Sequence, residues 1–269
     1  MVKKGPSEKV KKEEEKRVLE PLEETKKLIE KEEKIEEVEE EKRLTREEKE
    51  KLRHKQELEA WKPKTELGLK VKAGKIKNID EIFEKGYKIL EPQIVDILIP
   101  NLKSELLLIG QAKGKFGGGK RRFWRQTQKK TCEGNVPSFA CMMVVGDENG
   151  HVGIGVGKAK ETLPAKEKAI RSAKLNLIKI ERGCGSFDCS CNEKHSILLK
   201  VKGKGSSVFI ELIPAPKGTG LAIENECKKI MKLAGIKDVY SRTFGQTRTK
   251  LNLAQACYNA LKSTREVKK

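Results

Sequence analysis

Met142–Glu161, MMVVGDENGHVGIGVGKAKE, constrains the fold more than any other stretch. An apolar run from Met142 to Val145 halts at Gly146. Asp147-Glu148-Asn149-Gly150 then reads as a tight turn, because Asn-Gly tolerates the positive φ that a short hairpin requires. In the return run Val152, Ile154 and Val156 alternate with Gly153, Gly155 and Gly157. Period two places the branched side chains on one face and leaves the other face bare. Lys158 and Lys160 follow at the entrance to a helical segment. A bare strand face beside lysines invites a large, flat polyanion. Two uses of the glycines stay open: letting the backbone approach RNA, or packing closely inside the domain.

Charge supports a polyanionic partner. Fifty-nine Lys and Arg oppose forty Asp and Glu, a net charge of +19. The seven cysteines are unevenly placed, the opening MVKKGPSEKV has no apolar leader region, and no window nears the ~18 apolar residues of a membrane span. The expectation is a cytoplasmic chain with reduced thiols and no membrane partner.

Residues 1–60 alternate Lys/Arg with Glu, and their apolar residues are too sparse for a heptad seam, so they read as a charged extension, disordered or a solvated helix. Thr45 and Glu48 have capping-box spacing for a helix that Pro63 would stop. Asn78 can cap a short helix, Ile79–Lys85, ended by Gly86. A helical pattern runs from Pro92 through Leu98 and on to Leu107, kinked or divided at Pro100. Ser138–Val145 is the first strand of the hairpin. Thr162 can cap a helix whose apolar stripe is Ala165, Ala169, Ile170, Ala173, Leu177 and Ile180. Gly183–Cys191 is a turn-rich break. Beyond it, strands are expected at Ser196–Val201 and Val208–Ile213, joined by Lys202-Gly203-Lys204-Gly205. A helix Ala222–Ala234, a short strand at Val239-Tyr240 and a last helix Leu253–Leu261 complete a small α/β sandwich.

Gln111–Asn135 is the most basic segment. It holds Lys113, Lys115, Lys120, Arg121, Arg122, Arg125, Lys129 and Lys130 against one acid, Glu133. A charge run is usually a solvated surface. Here the sign is nearly pure and Phe116, Phe123 and Trp124 are interleaved, which suits phosphate neutralisation with stacking by Phe123 and Trp124. Gly117-Gly118-Gly119 argues that the segment is mobile without RNA. Gly114-x4-Gly119-Lys120 matches a phosphate loop except that Arg121 replaces the Mg²⁺-binding Ser/Thr, so an NTPase reading is weak. Gly153-x-Gly155-x-Gly157 is a poor dinucleotide fingerprint, since its glycines alternate along a strand.

Cys184-x4-Cys189-x-Cys191-x3-His195 puts four soft ligands in one Gly/Ser-rich loop. Such a set suits tetrahedral Zn²⁺, and structural zinc is the one cofactor expected. The spacing is not that of a standard finger, and His195 could simply begin the next strand. Cys132, Cys141, Cys227 and Cys257 are scattered and read as small hydrophobes. His54, His151 and His195 have no evident nucleophile beside them, and no catalytic site is expected.

From Trp61 onward the chain resembles the universal small-subunit ribosomal protein five family in its archaeal/eukaryotic form, most like archaeal members. The residues that carry this are WKPKTELG (61–68), IDEIFEKG (79–86), EPQIVDILIP (91–100), VVGDENGHVGIGVGKAKE (144–161), KAIRSAKLNL (168–177), LIPAPKGTGL (212–221) and LAGIKDVYSRTFGQTRTKLN (233–252). The resemblance implies an α+β protein with a double-stranded-RNA-binding-like domain over 61–182, a Cys-rich linker over 183–195 and an α/β domain over 196–269 with a left-handed βαβ crossover. It also implies binding of small-subunit rRNA near the decoding region, an influence on translational accuracy, and ribosomal proteins four and eight as neighbours with protein three nearby. Homo-oligomerisation is not expected. Residues 1–60 have no counterpart in the family pattern, and the basic loop Gly114–Pro137 is longer than that of bacterial members. The alternative is a free-standing double-stranded-RNA-binding regulator.

Overall fold

The computed structural model describes residues 56, 58–110 and 121–264. The chain divides into two units, Met1–Trp61 and Lys62–Lys269. Of the first, residues 56 and 58–61 are described, with 58–60 helical, so nearly all of the expected charged extension lies outside the described residues. The second unit carries the architecture below, a mixed α/β arrangement.

Three short helices open it: α1 (Glu66–Lys72), α2 (Ile79–Glu84) and α3 (Pro92–Leu98). Thr65 caps α1 by accepting from the Gly68 N–H at 3.1 Å. Asn78 is the cap residue of α2 but makes no side-chain capping bond. The helix expected to run to Leu107 stops before Pro100 instead. The chain re-forms as β1 (Lys103–Leu106), because an edge position on the sheet satisfies the backbone groups that the proline frees.

The first sheet contains β1, β2 (Arg125–Thr131), β3 (Gly134–Gly146), β4 (His151–Ala159) and β5 (Leu177–Lys179). The order is β1-β3-β4-β5, with β2 also paired to β3, and every pairing is antiparallel. The β3–β4 turn falls where expected. Its positive φ values belong to Glu148 (61°) and Gly150 (106°), not to Asn149, because Asp147 Oδ1 gathers the N–H groups of Asn149 and His151 and so fixes the loop. Helix α4 (Thr162–Leu175) follows. Glu161 is its cap residue and makes no side-chain capping bond, so Thr162 is its first residue. Lys158 lies within β4, which ends at Ala159, rather than opening a helix. Leu177 lies in β5 and Ile180 just beyond it, so neither continues the helical stripe.

Alternation along β3 feeds two cores. Met142 and Val144 join a large core with Val152 and Ile154, while Cys141 and Met143 face Ala165 and Ala169 of α4. The large core continues into the rest of the chain without a break, through Ile197, Ile210, Leu212, Ile230 and Leu261. There β6 (Arg182–Gly183) pairs with β7 (Ser196–Ile197). A second sheet contains β8 (Val201–Gly205), β9 (Val208–Pro214), β10 (Leu221–Ala222) and β11 (Val239–Gly245) in the order β10-β11-β9-β8. Helix α5 (Asn225–Leu233) connects the parallel pair β10 and β11, and α6 (Lys250–Ser263) closes the chain. Lys202–Gly205, expected as a connection, is strand. Gly203 and Gly205 present no Cβ to α6, where one would come 2.2 Å from the Ala256 carbonyl oxygen and 2.3 Å from that of Asn252.

A charge cluster, largely buried at His151 and Asp147 and half-exposed at Asp80, holds the hairpin turn to α2. His151 Nδ1 lies 2.6 Å from Asp147 Oδ2, and its Nε2 lies 3.2 Å from Asp80 Oδ1. The Phe83 ring stacks on the imidazole with centroids 5.8 Å apart. Burial pushes the His151 pKa down, but the hydrogen bonds and charges of Asp147 and then Asp80 outweigh it and hold it above 6.5. Burial raises Asp147, yet hydrogen bonds from His151 and the Asn149 N–H hold it below 3.8. A raised histidine stabilises fully below its unfolded value, about 6.5, and the gain is lost as pH rises through the folded value. The depressed carboxylates stabilise above their unfolded value, about 3.9, and lose this as pH falls through the folded one. The contribution therefore peaks between about pH 4 and 6.5. Thermal melts from pH 6 to 8 are expected to show a stability decline that His151→Gln lacks. An identical decline in the variant would remove His151 as its source.

Candidate nucleic-acid interface and a cysteine–histidine cluster

Lys113, Lys115 and Lys120 lie outside the described residues. The two ends of that segment are clamped together, since the Gly110 N–H donates to the Arg122 carbonyl at 2.8 Å. A Cβ on Gly110 would come 2.3 Å from the Trp124 carbonyl oxygen, so only glycine fits the approach.

The expectation of a mobile basic loop reaching to Lys130 is corrected from Arg125 onward, which is strand. β2 pairs with β3 from Arg125↔Ala140 to Thr131↔Gly134, whereas β4 begins to pair with β3 only at Phe139. Residues 127–137 therefore form a two-stranded ribbon that extends past the rest of the sheet and is exposed throughout. The β propensity of Thr127 and Thr131 and the positive φ of Gly134 (121°) at the turn explain why a polar segment takes this form. Arg125 and Lys129 lie on one face of the ribbon and Lys130 on the other.

Arg125 and Lys158 both register opposite Ala140, so the two cations stand in one row across three strands, on the same face. Lys160 is exposed in the turn before α4. Arg121 donates from Nη2 to the Arg248 carbonyl at 2.6 Å. A groove of about 630 Å³ runs along this seam, lined by Arg121, Arg122, Arg125, Arg248 and Lys250 among others. Arg248 and Lys250 escaped the sequence analysis. The alternating cations of Thr247–Lys250 were visible, but nothing local says that this turn meets β2.

Two stacking and three backbone-approach expectations fare differently. Phe123 is exposed, with the Lys229 ammonium 5.6 Å from its ring centroid. Trp124 is partly buried against the Cys141, Met143, Ala165 and Ala169 cluster, so its ring belongs to packing and not to an open stacking platform. Gly153, Gly155 and Gly157 are all buried. A Cβ on them would come 2.2 Å from the Ala173 oxygen, the Ala173 nitrogen and the Ala165 oxygen respectively. The bare face is covered by α4, whose Ala165, Ala169 and Ala173 stripe lets two backbones approach closely. This closes the RNA-approach reading of these three glycines.

The second cluster is compact. One ligand atom each from Cys184, Cys189, Cys191 and His195 all lie within 4.8 Å of one another. Cys189 Sγ is 3.1 Å from Cys191 Sγ and 3.9 Å from His195 Nε2. His195 is 3 % exposed, and its Nδ1 lies 2.8 Å from Asp238 Oδ2. The Cys189 thiol is drawn down to about 6, first by the hydrogen bond from Cys191 and then by the Lys217 backbone N–H. Cys191 is pushed up to about 11, first by its hydrogen bond with Cys189. This donor set fits a soft, tetrahedral cation. Among the described residues, no helix is long and apolar enough to cross a membrane.

Residues 124–181 match the N-terminal domain of ribosomal protein S5, and residues 203–269 match its C-terminal domain. The small ribosomal subunit protein uS5 of Nanoarchaeum equitans is 51 % identical over 208 residues, 77 % of this chain and 89 % of that protein. Its namesake from Pyrobaculum arsenaticum is 50 % identical over 204 residues, 76 % of this chain and 94 % of the relative. That of Methanobrevibacter smithii is 45 % identical over 208 residues, with 77 % and 91 % covered. The chain belongs to the small ribosomal subunit protein uS5 family.

Proposed function

We propose that the protein is a non-enzymatic structural constituent of the small ribosomal subunit in the cytoplasm, binding small-subunit rRNA and neighbouring ribosomal proteins. The exposed cationic ribbon of β2 and β3 carries the RNA half of this reading. Arg121, Arg122, Arg125, Lys129, Lys130, Lys158 and Lys160 neutralise phosphates, as do Lys113, Lys115 and Lys120 of the segment outside the described residues, and the exposed Phe123 ring stacks beside Lys229. Helix α4 laid across an antiparallel sheet supports a double-stranded-RNA-binding-like first domain over 61–182. A Cys-rich linker over 183–195 and an α/β domain over 196–269 follow, the latter with β10–α5–β11 as its left-handed crossover. In the subunit, the RNA bound lies near the decoding region, which gives the protein its influence on translational accuracy. Ribosomal proteins four and eight adjoin it, and protein three lies nearby. Cys184, Cys189, Cys191 and His195 hold a structural zinc ion. The free-standing regulator has no support among the relatives, which share the ribosomal name. Sedimentation separates the two readings. Full-length protein is expected to pellet with small subunits at physiological salt, and recovery of it all in the supernatant would overturn the proposal.

A further inference from the structure

The cysteine–histidine cluster lies between the two matched domains, in the loop closed by the β6–β7 pair. Tetrahedral zinc with bonds of about 2.3 Å to sulfur and 2.0–2.1 Å to nitrogen sets sulfurs about 3.8 Å apart and sulfur about 3.6 Å from nitrogen. The observed 3.1 and 3.9 Å separations, and the 4.8 Å outer limit, bracket those values within small side-chain movements. Cys189, His195 and Asp238 also have the order of a nucleophile, base and orienting group. Two further thiols in the same cluster favour a metal donor set over a lone activated nucleophile.

What surrounds the ligands says what the metal would control. Asp238 is 4 % exposed and uses both oxygens. Oδ2 meets His195 Nδ1 at 2.8 Å, which fixes the proton on Nδ1 and leaves Nε2 with its lone pair toward the cysteines. Oδ1 accepts from the Gly220 N–H at 2.8 Å and the Gly218 N–H at 3.2 Å. Ser196 Oγ accepts from the Ala215 N–H at 3.3 Å and donates to the Asp238 carbonyl at 2.6 Å. Two amides of the Pro214–Gly220 loop thus hang from the carboxylate behind His195, and a third, that of Ala215, from the Ser196 hydroxyl beside it. Gly218 and Gly220 have φ values of 91° and 75°, conformations that glycine adopts without strain.

We infer that this is a metal-dependent clasp: zinc held by Cys184, Cys189, Cys191 and His195 sets the shape of the Pro214–Gly220 loop through His195 and Asp238. The inference rests on the zinc assignment above but not on RNA binding. Three thiolates and one neutral imidazole around Zn²⁺ leave one negative charge.

The test uses full-length protein prepared with zinc under reducing conditions. Elemental analysis is expected to find one zinc per chain. Removing it with a strong chelator is expected to speed hydrogen exchange at Lys217–Gly220 about tenfold or more, while Met142–Val145 stays unchanged. Asp238→Asn supplies a second arm. Its Oδ1 can still accept from the loop, but its NH₂ would face Nδ1 and drive the imidazole to the wrong tautomer for ligation. Zinc affinity is expected to fall about 10–100-fold. Absence of bound zinc overturns the zinc assignment and the clasp with it. Bound zinc whose removal leaves loop exchange unchanged overturns the clasp alone, as does unchanged affinity in the variant.

Discussion

Replacing Gly155 by valine is expected to destabilise the protein by about 3 kcal/mol or more, the upper end of overpacking costs. Its Cβ alone would come 2.2 Å from the Ala173 nitrogen and 2.3 Å from the Ala169 oxygen. Both atoms are helix backbone, which cannot rotate aside as a side-chain tip can. Helix α4 would have to lift from the sheet, breaking the Cys141, Met143, Ala165 and Ala169 cluster beneath it. For a unit of this size, 3 kcal/mol corresponds to a fall in melting temperature of roughly 6–12 °C. Val156→Ala is the matched control. Val156 is 46 % exposed on the opposite face, and its truncation is expected to stay within about 0.5 kcal/mol. Denaturant melts of the two variants decide the matter. A stable Gly155→Val protein that has merely lost RNA affinity would revive the open-face reading.

That pair of residues also marks where local pattern stops being informative. Alternation showed which side of β4 carries Val152, Ile154 and Val156 and which is bare. It did not say that α4 closes the bare side, because that depends on the Ala165, Ala169 and Ala173 stripe meeting it eight to twenty residues later in sequence. The same device recurs unseen at Gly203 and Gly205 under α6, where interposed lysines imitated a solvent-exposed connection. The basic segment was legible as chemistry but not as shape. Its cations and its polyanionic preference follow from composition, whereas β2 exists because β3 runs on past Met143, where β1 ends, and offers an unpaired edge there. The cysteine–histidine spacing was legible as a ligand set. Asp238, forty-three positions from His195, was not, since only the return of β11 brings it there.

The second large effect concerns the ribbon. Arg122, Arg125, Lys129 and Lys130 are all exposed, so their exchange for glutamine leaves packing intact and is expected to change stability little. Each phosphate contact contributes about 0.7–0.9 to the slope of log affinity against log salt. Losing four contacts should flatten that slope by roughly three. Between 50 and 200 mM salt, the unaltered protein should then lose about sixtyfold more affinity than the fourfold variant does. Arg248 sits across the groove from the same surface, so Arg248→Gln is expected to flatten the slope by about one more if RNA enters there.

The salt titration of small-subunit rRNA binding, run side by side on the unaltered chain and the Arg122, Arg125, Lys129 and Lys130 to glutamine variant, is the most direct test of the account. It predicts a steep slope that the four substitutions reduce by roughly three. Equal slopes for the two proteins, or binding by the unaltered chain that is flat across this salt range, would contradict the assignment of the β2–β3 ribbon as the RNA-gripping surface.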